Sequence, residues 1–175
     1  MNKWLVLVVS IVLPLPALAT QLAISVAIPP LKVAEYHRPY VAAWIEDKDH
    51  AVAANLAVWY DVRKADNEGT KWLKDLRQWW RRSGRDTPMP VDGVSGATRP
   101  AGQHRLNLTS GSPPLGNLPP GRYELVVEAA REVGGREVLR LPFAWPVDPR
   151  APLSVQGKDE LGLVTLDIIP QEVLP

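Results

Sequence analysis

Cysteine is absent from this 175-residue chain, which removes disulfide staples, thiolate-held clusters and c-type haem attachment in one step. A surplus of either charge is also missing. The chain carries 20 Lys and Arg against 19 Asp and Glu, so no global field recruits nucleic acid or an anionic membrane, and partners must be found locally. The three histidines, His37, His50 and His104, share no metal-ligand spacing. There is no Ser nucleophile elbow and no Gly-rich phosphate loop ahead of a helix, which disfavours an enzyme acting alone. Hydrophobic residues make up 46% of the chain, enough at this length to bury a core without staples.

What is present begins with a leader. Residues 1–19 open with Lys3, run through the apolar stretch Trp4 to Leu13 and end in Ala17-Leu18-Ala19, the small-x-small pattern of a secretory cleavage site. Pro14 and Pro16 interrupt the segment, and its apolar run is shorter than the roughly 20 residues that span a bilayer. Export with cleavage after Ala19 is expected, leaving 20–175 as a single domain that does not span a membrane.

The remaining pattern is mostly β. Leu22, Ile24, Val26 and Ile28 alternate with Ala23, Ser25 and Ala27; Tyr40 to Ile45 and Leu56 to Tyr60 are further β-branched and aromatic runs. Ile45-Glu46-Asp47-Lys48-Asp49 reads as a strand entering a hairpin turn. A strand over 103–109 puts His104, Leu106 and Leu108 on one face. Tyr123, Leu125, Val127 and Ala129 alternate with Glu124, Val126 and Glu128 as a half-buried strand. Two more strands are expected over 137–145 and 161–168. Short strands separated by Pro/Gly turns predict an all-β fold, an immunoglobulin-like antiparallel β-sandwich.

One segment breaks the rhythm. Between Lys71 and Arg82, Trp72, Leu76, Trp79 and Trp80 fall at helical spacing, with Lys74, Arg77 and Arg81 on another face and Ser83-Gly84 as a stop. A single short Trp-rich helix inserted between strands is expected. Its indoles either cover an open end of the sandwich or border a bound group.

A heptapeptide follows, Asp92-Gly93-Val94-Ser95-Gly96-Ala97-Thr98. It fits Asp-x-x-Ser/Thr-Gly-Ala-Ser/Thr, and it resembles the acceptor sequence of bacterial flavin transferases, which move the FMN half of FAD onto a Thr or Ser hydroxyl. The resemblance implies covalent FMN on Thr98, with the motif in an accessible loop near 86–102. Gly96 and Ala97 keep the backbone slim, Gly96 also tolerates unusual backbone angles, and Asp92 is expected to bond backbone N–H groups two residues on. Trp79 and Trp80 would border the flavin. Arg81, Arg82, Arg85 and Arg99 are candidates for its phosphate.

The resemblance widens over Tyr36 to Asp47, Lys71 to Leu76, Ser95 to Pro100 and Pro119 to Tyr123. These blocks, in order, are similar to a bacterial periplasmic family, domain of unknown function 2271. That likeness implies a periplasmic partner of an FAD:protein FMN transferase and of a membrane oxidoreductase of the PepSY type, hence an electron carrier. Two other readings stay open at this point: a cofactor-free immunoglobulin-like binding or assembly module, in which the heptapeptide is an ordinary turn, and a haem or metal carrier.

Overall fold

The alternation in the first strand is that of a segment with one face in a core. In the computed structural model, which describes residues 20–146 and 152–170, β1 spans Thr20–Ile28 and buries Leu22, Ile24, Val26 and Ile28. The expected leader, 1–19, lies outside the described residues. Strands β2 (Tyr40–Asp47), β3 (Val52–Tyr60), β4 (Ser95–Ala97), β5 (Gly102–Thr109), β6 (Gly121–Ala130), β7 (Arg136–Trp145), β8 (Leu153–Gln156) and β9 (Leu163–Pro170) follow.

They form two sheets, ordered β5-β1-β9-β8 and β4-β3-β2-β6-β7. Neighbours pair antiparallel except β4, which runs parallel to β3. The architecture is an all-β sandwich with a short helix. Between the sheets, the β1 residues meet Val41, Ala43 and Ile45 of β2, Tyr123, Leu125, Val127 and Ala129 of β6, and Leu139, Leu141 and Phe143 of β7. Each such aliphatic or aromatic side chain contributes about 1.5–3 kcal/mol on full burial. The β2–β3 hairpin turns as its residues suggest, with Asp47 Oδ1 accepting the backbone N–H groups of Asp49 and Ala51 at 2.8 and 2.9 Å.

Two expectations change here. The Trp-rich segment is not one helix: a 3-10 stretch, Ala65–Asp75, is broken at Leu76 (φ −74°, ψ 70°), and the α-helix α1 covers only Arg77–Arg82. The break shifts the phase of every side chain after it. The insertion also does not close an end of the sandwich. Leu73, Leu76 and Trp79 pack on Ala42, Trp44, Val58, Tyr60 and Val126, the outer face of the five-stranded sheet. That third layer makes β6 a strand buried on both faces rather than one, and it puts Glu46 and Glu128 out of contact with solvent.

Polar bonds tie the insertion down. The buried Glu128 carboxylate accepts the backbone N–H of Gln78 at 2.9 Å and of Trp79 at 2.8 Å, satisfying donors that α1 leaves open at its start. Asn55 on β3 accepts the Trp79 indole N–H at 2.9 Å and donates to Ser83 Oγ at 2.7 Å. Gly69 sits so close to the chain at Asp61 that a Cβ would fall 2.1 Å from that carbonyl oxygen. No larger residue fits there.

Candidate functional site

The heptapeptide lies where the insertion returns to the sheet. Its Gly93 has φ +73°, a left-handed angle that glycine adopts without strain, so the conformational freedom expected of Gly96 is used at Gly93. Val94 and Ser95 N–H both donate to Val91 O, at 3.2 and 2.8 Å, and Ser95 Oγ accepts the Val91 N–H at 2.9 Å. Ser95 closes this turn, while Asp92 is exposed; the hydroxyl does the work expected of the carboxylate because its side chain reaches back across the same four residues.

Ser95-Gly96-Ala97 then leave the turn as β4, in register with Val58, Trp59 and Tyr60. The motif is therefore an edge strand rather than a free loop. Backbone bonds hold both its ends, from Val58 N–H to Val94 O at 2.8 Å and from Thr98 N–H to Tyr60 O at 3.1 Å. Gly96 faces the Trp59 indole closely enough that only a small residue fits. Ala97 is exposed and Thr98 partly so.

Thr98 lines a cleft of about 390 Å³, within the size range of small-molecule sites. Its other walls come from His37, Arg38 and Tyr40 before and on β2, Asp61, Lys64, Trp72 and Asp75 of the insertion, and Ala130, Arg131 and Glu132 after β6. Trp72 is 45% exposed and Trp79 1%. The indole that lines the cleft with Thr98 is thus that of Trp72. Trp79 is a core residue, and Trp80 lines a different groove with Lys74, Arg77, Arg81 and Arg136. A single helix would have carried Trp79 and Trp80 towards the motif; the break at Leu76 redirects all residues beyond it.

The cations are redistributed as well. Arg99 lies over Trp59, its guanidinium carbon 5.3 Å from the ring centroid, and Arg82 approaches Glu46 at 3.7 Å. Arg81 turns back to Gln78 Oε1 at 3.0 Å, and Arg85 is exposed at the far end of the helix. Those lining the Thr98 cleft are Arg38, Lys64 and Arg131, the last held by the buried Glu160 at 2.9 and 3.0 Å. Arg38 and Lys64 were not singled out by sequence; the Pro39-Tyr40 entry into β2 was the signal for the first, and Lys64 carried none.

The electrostatics of the cleft are mixed. Burial raises the Tyr40 phenol, a backbone bond lowers it in part, and the carboxylates of Asp61 and Glu132 push it further up, so it stays neutral. Its hydroxyl donates to Gly69 O at 3.2 Å. The donor set fits an aromatic ring carrying one phosphate: an exposed indole, a phenol, and two cations beside the Thr98 hydroxyl, with Asp61, Asp75 and Glu132 limiting the negative charge the cleft accepts.

Elsewhere, Glu46, His50 and Glu124 bring ligand atoms within 4.8 Å of one another. Arg140 donates into that group, to Glu46 Oε2 at 2.8 Å and Glu124 Oε2 at 2.7 Å. A guanidinium already meets the charge a cation would meet. His104 Nε2 lies 2.7 Å from Pro100 O, and its ring packs edge-on to Trp59.

Among the described residues no helix is long and apolar enough to cross a membrane. Comparison with curated proteins and with solved structures gives no significant match. A family model described as "Predicted periplasmic protein (DUF2271)" matches residues 21–163, a span that contains β2 to β8, the insertion and the heptapeptide, and the chain belongs to that family.

Proposed function

We propose that this protein is a periplasmic electron carrier with FMN joined covalently to Thr98 through a phosphoester. What carries the reading is the meeting, at one residue, of the acceptor-like heptapeptide and a cleft that holds an exposed indole with two cations. In the attachment step an FAD:protein FMN transferase supplies the catalysis. The Thr98 Oγ–P bond forms, the pyrophosphate P–O bond of FAD breaks, AMP leaves, and the hydroxyl proton is released.

When bound, FMN supplies one- and two-electron redox chemistry. The chain's own residues supply position. The bonds at both ends of β4 fix Thr98 against β3, Trp72 and Tyr40 offer faces on which a flat ring can stack, and Arg38 and Lys64 offer charge to a phosphate. A membrane oxidoreductase of the PepSY type is the proposed exchange partner for electrons.

Intact mass tests the reading. Coexpressed with the transferase and FAD, the exported chain should gain one FMN, lost in Thr98→Ala and largely kept in Thr98→Ser. A colourless wild type of unmodified mass under these conditions would leave the protein a cofactor-free module.

A further inference from the structure

We propose that the cationic face of the insertion, around Trp80, docks the protein on an anionic phospholipid surface. Lys74, Arg77, Arg81 and Arg136 line one open groove with Trp80, a setting with four positive side chains and no carboxylate. Arg136 is partly engaged, donating to the buried Glu128 at 2.9 Å. The ion pairs nearby involve Lys71, Arg82 and Arg136 and leave Lys74, Arg77 and Arg81 without an acidic partner among the described residues. The adjacent acid, Asp75, faces the Thr98 cleft instead.

This concentration stands out in a chain whose charges otherwise balance. Arg77 and Arg81 lie one helical turn apart and repel, a cost to a helix as short as α1. The place of Arg81 in the last turn and the Glu128 carboxylate at the start of α1 offset part of it, but neither pairs Arg77 or Arg81 with an acid, and Arg81 bonds only to Arg77 O and Gln78 Oε1. A partly buried indole in the middle of the patch is the side chain that favours the headgroup level of a bilayer, and cations around it meet the phosphates there. A protein partner would have to offer a matching acidic patch of its own. Three charges of one sign without an acidic partner, beside an indole, suit a surface that is anionic throughout and has no register.

The docking face adjoins the proposed cofactor cleft. Lys74 Nζ lies 6.0 Å from the centroid of Trp72, and Trp72 lines the cleft with Thr98. Binding through Lys74, Arg77 and Arg81 would hold the cleft beside the membrane, although the docking itself does not depend on a flavin being attached.

Vesicle cosedimentation of the exported chain is the test. Binding is expected to vesicles of phosphatidylglycerol mixed with phosphatidylcholine, to be absent with phosphatidylcholine alone, and to weaken as salt rises. The triple substitution Lys74→Gln, Arg77→Gln, Arg81→Gln should weaken it about a hundredfold, roughly fivefold for each cation removed. A control that removes three cations elsewhere, Arg105→Gln, Arg122→Gln and Lys158→Gln, should bind as wild type does, and melting curves of all three proteins should agree. Equal binding to both vesicle types, an equal loss in the control, or no loss in the triple variant overturns the proposal. So does retention on native membranes that protease shaving abolishes while phosphatidylglycerol vesicles are ignored, which would assign the patch to an acidic protein.

Discussion

Gly96 lies flat against Trp59: a Cβ placed on Gly96 would stand 3.3 Å from Cδ1 of the indole. That contact explains why the middle of the heptapeptide is small without invoking a transferase, because β4 must approach a buried tryptophan on the neighbouring strand to complete its pairing. The requirement is for a small residue, not for an unusual angle.

Gly96→Val should therefore destabilise the protein by about 1–3 kcal/mol, the usual cost of overpacking, as read from urea melts of the unlabelled chain. It should also slow labelling of Thr98 by loosening β4, even though no atom of the acceptor is changed. A stable Gly96→Val protein that labels at the wild-type rate would detach the motif from the packing described.

The three tryptophans of the insertion should separate cleanly. Trp72→Leu should brighten the emission of attached flavin and leave the melting temperature almost unchanged, since its indole is largely exposed. Trp79→Leu should lose on the order of 3 kcal/mol of stability, as for other large aromatic truncations in a core. Trp80→Leu should leave flavin emission unaltered. Brightening by Trp80→Leu and none by Trp72→Leu would move the cofactor to the other groove.

Arg131 and Glu160 share two hydrogen bonds, and both side chains are almost sealed from water, at 6% and 4% exposure. Removing one partner of such a pair costs about 3–5 kcal/mol, because a buried charge is left alone. Glu160→Gln should fall in that range in a thermal or urea melt. Glu160 also accepts the Gly135 N–H at 2.8 Å, so the β6–β7 turn that walls the cleft should show faster amide exchange in the variant.

Acid should weaken the fold through two carboxylates. Burial pushes the Glu46 carboxyl up, but the Arg140 guanidinium, the Trp44 indole N–H and His50 more than offset it, and the net direction is down. Burial likewise raises Glu137, and the backbone N–H groups of Lys158, Leu161 and Asp159 outweigh it. A carboxyl held below its unfolded value stabilises fully above that value, about 4.3 for Glu, and the contribution is lost as pH falls through the depressed one. Stability measured by urea midpoint should therefore fall as pH drops below that point, and Glu137→Gln should make this acid limb shallower. An unchanged acid limb in Glu137→Gln would remove the turn capped by this carboxylate from the account.

The long strands were legible because their alternation is local: Leu22 to Ile28 and Tyr123 to Ala129 state in sequence which side chains share a face. β4 and β8, three and four residues long, are too short to show a period. Glu128 read as solvent-facing because its alternation is right and its cover comes from residues around 78, fifty positions away. In the candidate site, Thr98 was singled out from the motif alone. Trp72 was not singled out as its neighbour because the 3-10 stretch has no periodic signature that a helical count can follow, and Arg38 and Lys64 because they flank β2 and β3, whose placement beside the motif is a long-range matter.

The third layer has a consequence for how the molecule opens. The insertion holds to the sheet through side-chain packing and a handful of polar bonds, whereas β2 and β6 pair with each other without a break and with β3 and β7 on their outer sides. Two cooperative units with different opening free energies are implied. Backbone amides of α1 and the heptapeptide should exchange with deuterium well before those of β2 and β6. Such a partial opening would release β4 from β3 and present Thr98 as an extended segment to another active site while the sandwich stays folded.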